Sequence, residues 1–196
     1  MTIAILGQGN MGSGLARRLE GQTDLALGAR DPKAGELSYA DAVAKADIVV
    51  LALPFDAAVE VARTLDLAGK VVVDISNPVT PDFSGLKIGH STSAAEQIQG
   101  AAPGAKVVKA FNTIFAALFA APVAETRGVP VFVAGNDEGA VAQVGDLARK
   151  AGFSVENAGT LDAARLIEPV GMLNIRFGYG LGKGTAIAPA WVQLAA

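Results

Sequence analysis

Short apolar runs alternate along this chain with segments in which apolar residues recur at helical spacing. Strands are predicted at residues 2–6, 25–27, 36–39, 47–54, 71–74, 106–109, 129–134 and 153–155. Helices are predicted between the first two strands, at 40–46, at 56–65, from 93 onward and at 137–150. Runs that are apolar on both faces, such as 47–54, are typical of parallel strands. The alternation therefore predicts a Rossmann-like, doubly wound α/β fold with a mostly parallel sheet.

The pattern changes near residue 160, and a longer helix is predicted over 161–177. Leu166, Val170, Leu173 and Phe177 form an apolar stripe at helical spacing, which is typical of a core or a dimer interface. Pro169 lies inside this helix and predicts a kink. The glycine-rich tail from residue 178 is predicted to be loop. We therefore expect a single domain over 1–196, in which 160–196 completes the ligand site or forms a dimer interface.

The composition argues against several classes of protein, including nucleic-acid-binding, disulfide-bonded and membrane-spanning proteins. Of the 196 residues, 51% are apolar and 18% are charged, which suits a buried parallel sheet and a homodimer interface. The net charge of −3 leaves no basic excess, so nucleic acid is not an expected partner. The lack of cysteine excludes disulfides and thiolate metal sites and agrees with a cytoplasmic location. No apolar run approaches bilayer length and no metal-binding motif occurs, so neither a membrane nor a metal is expected.

The first predicted strand leads directly into a glycine pattern that binds dinucleotides in α/β proteins. Gly7 permits a tight turn, Gly9 lets the backbone approach a pyrophosphate, and Gly12 lets the next helix pack close to the sheet. Asn10 and Met11 stand at the start of that helix, whose free N–H groups would face the anion. A glycine pattern alone is a weak signal. Here it follows a strand and opens a helix, which is the context that dinucleotide binding requires.

The end of the second strand indicates which dinucleotide binds. An acidic side chain there usually accepts from the ribose of NAD, and a basic one accommodates the 2′-phosphate of NADP. Arg30 can pair with phosphate oxygens through its planar guanidinium, and Lys33 adds a second positive charge. We therefore predict NADP. Asp31 keeps NAD open as the alternative, in which Arg30 pairs with Asp31 and both cations are solvated.

Three further loops follow strand ends at one edge of the predicted sheet, where open α/β sheets bind their ligands. The first carries Pro54 and Phe55, which offer apolar contact to a nicotinamide ring. The other two carry Asn77 and Asn112, which offer hydrogen bonds. Each residue also has a purely structural explanation, because proline stops strands and asparagine often bonds its own turn. Their convergence on one edge of the sheet favours a site.

Groups for acid–base catalysis are scarce. His90 is the one histidine and falls in a predicted loop, where it is more often solvated than catalytic. Lys109 is a candidate acid or base, although no surrounding pattern supports it. Enzymes that oxidise alcohols need a positioned acid or base. Hydride transfer between a nicotinamide and a flavin-type ring needs little of either, so the sequence favours such a small-molecule redox acceptor.

Two residue runs are specific enough to indicate a family. They are Lys-Ala-Phe-Asn-Thr at 109–113 and Arg-Leu-Ile-Glu at 165–168, with further matches at 7–12, 28–30, 47–54, 91–96, 129–131 and 173–174. Almost end to end, the chain resembles the NADP oxidoreductases that use coenzyme F420, and the related nucleotide domain of membrane metalloreductases. This resemblance implies reversible hydride transfer between NADPH and a deazaflavin (coenzyme F420) or a flavin such as FMN or FAD.

The resemblance also implies roles for individual residues. Gly9, Asn10 and Met11 would contact the pyrophosphate of NADP, Arg30 and Lys33 its 2′-phosphate, and Pro54, Asn77, Asn112 and Thr113 the site of the reacting ring. The chain departs from the deazaflavin enzymes at Asn112, where they have histidine, whereas asparagine is usual in the metalloreductase-like branch. The segment 33–37 is also shorter than the helix of the archaeal enzymes.

Two alternative functions stay open at this point. The protein could reduce a small imine or carbonyl with NADPH, with Lys109 or Asn112 orienting the substrate. Alternatively, it could bind NADP(H) without turnover and act as a sensor of the NADPH/NADP ratio, since the scarcity of catalytic groups fits both readings.

Overall fold

One eight-stranded sheet organises the protein, as shown by a computed structural model that describes residues 1–192 and 194. The strands are β1 (Thr2–Leu6), β2 (Asp24–Ala29), β3 (Leu37–Ser38), β4 (Ile48–Leu51), β5 (Val71–Asp74), β6 (Lys106–Lys109), β7 (Pro130–Gly135) and β8 (Ser154–Asn157). Their order is β3-β2-β1-β4-β5-β6-β7-β8. All neighbouring pairs are parallel except β6 with β7, which confirms the predicted fold class. Positions 193, 195 and 196 of the predicted C-terminal segment lie outside the described residues.

Helices connect the strands and cover both faces of the sheet. They are α1 (Asn10–Leu19), α2 (Tyr39–Ala44), α3 (Phe55–Thr64), α4 (Ala94–Ala101), α5 (Val123–Thr126), α6 (Glu138–Lys150) and α7 (Ala164–Ile175). Short 3₁₀ turns occupy Ala116–Phe119 and Leu161–Ala163, and a π-helical turn at Arg176–Gly180 follows α7. Ser93 opens α4 as a capping box: its Oγ accepts from the Glu96 N–H at 3.2 Å and donates to Glu96 Oε2 at 2.8 Å.

The central strands are buried on both faces, as their uninterrupted apolar runs predict. Every residue of β4 and β5 is buried. Ile48 and Val50 face the layer that contains α1 and α6, whereas Val49 and Leu51 face the layer formed by α2, α3 and α4. The alternation follows from the two-residue period of a strand. Because each buried aliphatic side chain contributes about 1.5–3 kcal/mol, these two layers fix the strand ends from which the functional loops emerge.

The apolar stripe of the C-terminal helix is not part of the core. Leu166 is 73% exposed, and Leu173 and Phe177 are exposed as well. The buried face of α7 instead carries Glu168, Gly171 and other residues that pack toward the sheet. The stripe is therefore available to a partner surface, and the expected homodimer stays a prediction. The kink at Pro169 also stays a prediction, since α7 continues through that residue to Ile175.

Within the described part of the chain, no helix combines the length and the apolar character needed to cross a membrane.

Candidate functional site

The turn between β1 and α1 has the shape that the glycine pattern predicts. Gly7 adopts a φ of +100°, which L side chains rarely adopt, and a Cβ there would overlap the Ala52 carbonyl oxygen. A Cβ at Gly12 would overlap the Gly7 carbonyl oxygen, so α1 can start this close to the strand only with glycine. Around a Cβ at Gly9, by contrast, no described atom lies within 4 Å. The open space at Gly9, in front of the α1 N-terminus, fits the approach of a pyrophosphate.

A cavity of about 660 Å³ lies between this turn and the end of β2. Gly7, Arg30, Lys33, Tyr39 and Pro54 are among its lining residues. The Arg30 guanidinium donates from Nε to Asp31 Oδ2 at 3.0 Å, and both side chains are 84% exposed. A surface ion pair of this kind contributes little to stability. An incoming phosphate can therefore take over the guanidinium, and Asp31 does not prevent the NADP interpretation.

A second cavity, of about 280 Å³, opens on the other side of the same turn. Its lining residues include Asn10, Met11, Asn77, Phe83, Asn112, Thr113, Phe115, Gly171, Asn174 and Tyr179. We call it the ring cavity. Residues of the glycine turn and the start of α1 line both cavities, Gly7 the larger one and Asn10 and Met11 the ring cavity, so both adjoin this turn.

A reciprocal amide pair forms the inner wall of the ring cavity. The Asn77 side-chain amide donates to the Asn112 carbonyl oxygen at 2.7 Å, and the Asn112 side-chain amide donates to Asn77 Oδ1 at 2.8 Å. Gly171 of α7 lies against this pair, since a Cβ there would be 2.7 Å from Asn77 Oδ1. The Asn174 amide of the same helix donates to the Thr113 carbonyl oxygen at 3.0 Å. The helix α7 therefore closes one side of the ring cavity.

Two buried polar atoms in this wall lack a partner among the described residues. They are Asn112 Oδ1 and Thr113 Oγ1, on side chains that are 6% and 1% exposed. Ser76 Oγ, next to Asn77 in sequence, is also buried without a hydrogen-bond partner among the described residues. Buried polar groups in folded proteins are nearly always hydrogen-bonded, because an unpaired one costs about 1–3 kcal/mol. The described residues therefore leave two polar groups unsatisfied in the part of the wall that carries Asn112 and Thr113.

The structure distributes the predicted ring-site residues over two places. Asn77, Asn112 and Thr113 meet in the ring cavity, as expected. Pro54 instead lines the larger cavity beside Arg30, and Phe55 is a buried residue at the start of α3. The prediction that both would adjoin the same ring as the asparagines therefore gains no geometric support.

Sequence reasoning missed several lining residues of the ring cavity, among them Phe83, Gly171, Asn174 and Tyr179. Phe83 falls in a polar loop without periodicity. In the sequence, Gly171 and Asn174 could be recognised only as positions within a predicted helix. The run Leu173-Asn174, which carries part of the family resemblance, was the one available signal for this side of the site.

Lys109 has a structural role, and its suggested role as an acid or base is wrong. Its side chain is completely buried, and Nζ lies 2.8 Å from Asp74 Oδ2 and 2.8 Å from Glu168 Oε1. Nζ also donates to the Ser76 carbonyl oxygen at 2.5 Å. All three ammonium donors are thus used inside the protein, so Lys109 cannot reach a substrate.

Glu168 extends this cluster to the start of a helix. Its carboxylate oxygens accept from the N–H groups of Ala94 and Ala95, at 3.1 and 3.4 Å, in the first turn of α4. Burial raises the pKa of the Glu168 carboxyl, and the Lys109 ammonium opposes that rise. A raised pKa means that ionisation of Glu168 costs folding free energy as the pH rises through that pKa. The Lys109 ammonium and the α4 N-terminus limit this cost.

No group of histidine, cysteine, aspartate and glutamate in the described residues could hold a metal ion. The polar side chains that line the ring cavity are amides and the hydroxyls of Thr113 and Tyr179, without a carboxylate, histidine or lysine among the lining residues, which suits orientation of a ring more than proton transfer.

Comparisons with known proteins place this geometry in a family context. Residues 2–78 match the family described as NADP oxidoreductase coenzyme F420-dependent. The chain is 31% identical to the F420-dependent NADP reductase of Methanocaldococcus jannaschii, over 95% of this chain and 97% of that protein. A solved structure from Arthrobacter sp. FB24, provisionally designated an F420-dependent NADP reductase, aligns with a TM-score of 0.80 and 34% identity, over 94% of this chain and 96% of that one.

Metalloreductases are also similar to this chain in sequence. The chain is 32% identical to metalloreductase STEAP3 of Rattus norvegicus over 86% of its own length. It spans only 36% of that relative, so the likeness concerns about a third of the metalloreductase.

The open space at Gly9 generates a prediction for cofactor binding. Gly9 has a φ of −70°, which alanine adopts freely, so Gly9→Ala should leave the melting temperature unchanged. The added methyl occupies the approach of the pyrophosphate and should raise the Kd for NADPH at least about tenfold. Fluorescence titration with NADPH and thermal unfolding measure the two effects. The exposed Gly128, whose Cβ position is also free of described neighbours, provides the control Gly128→Ala; equal affinity in the two variants would contradict the assignment.

The buried ion cluster generates a prediction for stability. Lys109→Met leaves two buried carboxylates without their cation and should lower the free energy of unfolding by about 3–5 kcal/mol. Lys106 lies on the same strand and pairs with Asp137 at the surface, at 2.9 Å. Lys106→Met should therefore cost less than about 1 kcal/mol. Urea unfolding of both variants tests the difference, and losses of similar size would show that the cluster does not stabilise the fold.

Proposed function

Because the chain belongs to the family of coenzyme F420-dependent NADP oxidoreductases, we propose that it transfers hydride from NADPH to a deazaflavin or flavin ring. The protein is an NADP-dependent oxidoreductase with a Rossmann-type fold. One geometric observation carries the proposal: a cavity with exposed cations and a cavity with a neutral amide wall both adjoin the glycine turn. A dinucleotide that crosses the turn would place its phosphates in the first and its nicotinamide in the second.

The residues of the larger cavity bind the phosphates in this proposal. Arg30 and Lys33 contact the 2′-phosphate, and the N–H groups at the start of α1 contact the pyrophosphate. Gly9 leaves room for the backbone to approach it. These contacts hold the cofactor without taking part in the chemistry.

The residues of the ring cavity orient the nicotinamide. Asn77 holds the Asn112 amide in place through the reciprocal hydrogen bonds, which leaves Asn112 Oδ1 free to accept from a carboxamide. The Thr113 hydroxyl offers a second contact. NADPH, when bound, supplies the hydride, so the protein has to position two rings and exclude water. Hydride transfer leaves one negative charge on the reduced acceptor ring, which a proton from solvent neutralises, so no protein group has to serve as acid or base, in agreement with the burial of Lys109.

Two observations bear on the class of electron acceptor: the family to which the chain belongs, and the asparagine at position 112. The archaeal relative is named an F420-dependent NADP reductase, whereas the resemblance described above implies histidine in the deazaflavin enzymes where this chain has Asn112. Asparagine at that position makes a flavin as plausible an acceptor as a deazaflavin on chemical grounds, because the amide can hydrogen-bond to either ring.

Anaerobic stopped-flow mixing of the protein and NADPH with F420 and with FMN, side by side, tests the function. Fast reduction of F420 assigns a deazaflavin reductase, and reduction of FMN alone assigns a flavin reductase. If neither is reduced although NADPH binds, the proposal fails. Turnover of a small imine or carbonyl would then identify the acceptor class, and its lack would favour an NADPH/NADP sensor.

The 2′-phosphate contact can be tested separately. Arg30→Ala should raise the KM for NADPH about tenfold or more and leave that for NADH almost unchanged, because a charged hydrogen bond to phosphate is lost. Arg63 is exposed too but pairs with Glu60 on α3, so Arg63→Ala is the control. An equal effect of Arg30→Ala on both cofactors would rule out the assigned contact.

A further inference from the structure

Phe83 occupies an unusual backbone position at the edge of the ring cavity. Its φ is +57°, in the left-handed region that bulky residues rarely adopt. A compact turn holds it there: the Phe83 N–H donates to the Thr80 carbonyl oxygen at 2.9 Å, and the Thr80 N–H donates to the Gly85 carbonyl oxygen at 2.9 Å. The loop therefore sets the backbone position from which the Phe83 side chain projects.

Asp82 stabilises this turn. Its Oδ1 accepts from the Thr80 hydroxyl at 2.6 Å, and from the Ser84 hydroxyl and N–H at 2.9 and 3.2 Å. These hydrogen bonds, that from Thr80 first, lower the pKa of the Asp82 carboxyl to about 2. The carboxylate stays ionised at every pH used for enzyme assays, so the turn keeps its hydrogen bonds throughout.

The Phe83 side chain is not buried by the rest of the protein. It is 62% exposed although it lines the ring cavity. Within the described residues, it takes part in none of the aromatic ring pairs, whereas Phe111, Phe115, Phe119 and Phe153 all do. Phe83 thus combines a rare backbone conformation with an exposed aromatic ring beside a cavity. This combination indicates that the ring contacts a bound ligand.

Tyr179 is a second exposed aromatic residue at the same cavity. It is 70% exposed and belongs to the π-helical turn after α7. Its ring meets that of Phe115 edge to face, with centroids 5.4 Å apart and an interplanar angle of 86°. Phe115 is buried, so this contact fixes Tyr179 from behind and leaves ring surface toward solvent. The cavity thus has a neutral polar inner wall and two exposed aromatic rings at its mouth.

We propose that Phe83 and Tyr179 determine acceptor specificity by contacting the planar, fused aromatic ring of the acceptor. The proposal rests on the proposed function and narrows it to tricyclic acceptors. Flat rings stack on aromatic side chains in offset or edge-to-face arrangements, and the gain grows with the apolar area that is covered. A tricyclic deazaflavin or flavin covers both side chains, whereas a small imine or carbonyl covers neither well. The pair therefore favours the former class.

Equilibrium binding without turnover tests this contact. Oxidised FMN and F420 are titrated into the wild-type protein and into Phe83→Ala, Phe83→Leu, Phe83→Trp and Tyr179→Ala. Removal of either ring should raise the Kd for the tricyclic molecule about 3- to 10-fold. Phe83→Leu should bind less tightly than wild type and more tightly than Phe83→Ala, since leucine keeps apolar surface and loses the aromatic face, and Phe83→Trp should restore affinity.

The melting temperature should stay unchanged in the Phe83 variants, because that side chain is exposed and has no aromatic partner among the described residues. The Kd for NADPH, measured in all the variants, should change less than the Kd for the tricyclic ring, and binding to Tyr179→Ala, which loses its contact with Phe115, is measured well below its own unfolding transition. Trp191→Ala removes another exposed aromatic side chain, one that packs on Phe132 of β7, and is the matched control. If wild type binds a tricyclic ring and the Phe83 and Tyr179 variants bind it equally well, the aromatic contact is wrong while the proposed function stands. If wild type binds the ring with the expected dependence on Phe83 but transfers no hydride, the contact is supported and the proposed function fails. If wild type binds neither FMN nor F420, both are overturned.

Discussion

The buried ion cluster of Lys109, Asp74 and Glu168 holds together the parts from which the site is built. Asp74 and Lys109 are register partners at the ends of the parallel strands β5 and β6. Glu168 brings α7 to them and caps the start of α4. Each charge is desolvated and is stable only because the others pair with it. The asparagines of the ring cavity, Asn77 and Asn112, each follow one member of this strand pair by three residues. The cluster therefore fixes the distance between the two strand ends. The hydrogen bonds between Asn77 and Asn112 then hold the two following loops side by side at equivalent positions.

Local features of the sequence were sufficient for the fold and for the dinucleotide turn. The strand runs, the capping box at Ser93 and the glycines at 7, 9 and 12 act through neighbouring residues, so their patterns predict structure directly. Lys109 was misjudged because its partners are remote in sequence, and a lysine without visible partners looks available for chemistry. The stripe at Leu166 and Leu173 illustrates a different limit: helical spacing identifies a face of a helix, and only the packed structure shows whether that face is covered.

The distribution of charge along the site matches an elongated ligand that is anionic at one end and neutral at the other. Arg30 and Lys33 are exposed cations at the outer end, and the inner end presents amides, a hydroxyl and apolar side chains. The charges of the ion cluster at the inner strand ends are buried and bonded to one another. A ligand with phosphates at one end and a neutral ring at the other meets favourable contacts along its whole length. An anionic substrate of similar size would find no cation in the ring cavity among its lining residues.

The neutral inner wall also bears on how the reaction is controlled. A histidine at position 112 would change its charge within the physiological pH range, whereas the Asn112 amide keeps the same hydrogen-bonding character throughout. Asn77 fixes which edge of that amide faces the cavity, because its own donor and acceptor are both engaged by residue 112. In the proposed function, the ring is thus oriented by dipoles whose direction does not depend on pH. Preoriented dipoles of this kind need no rearrangement during hydride transfer. Rigidity of the inner wall, secured by the ion cluster behind it, is then the protein's principal contribution to the chemistry.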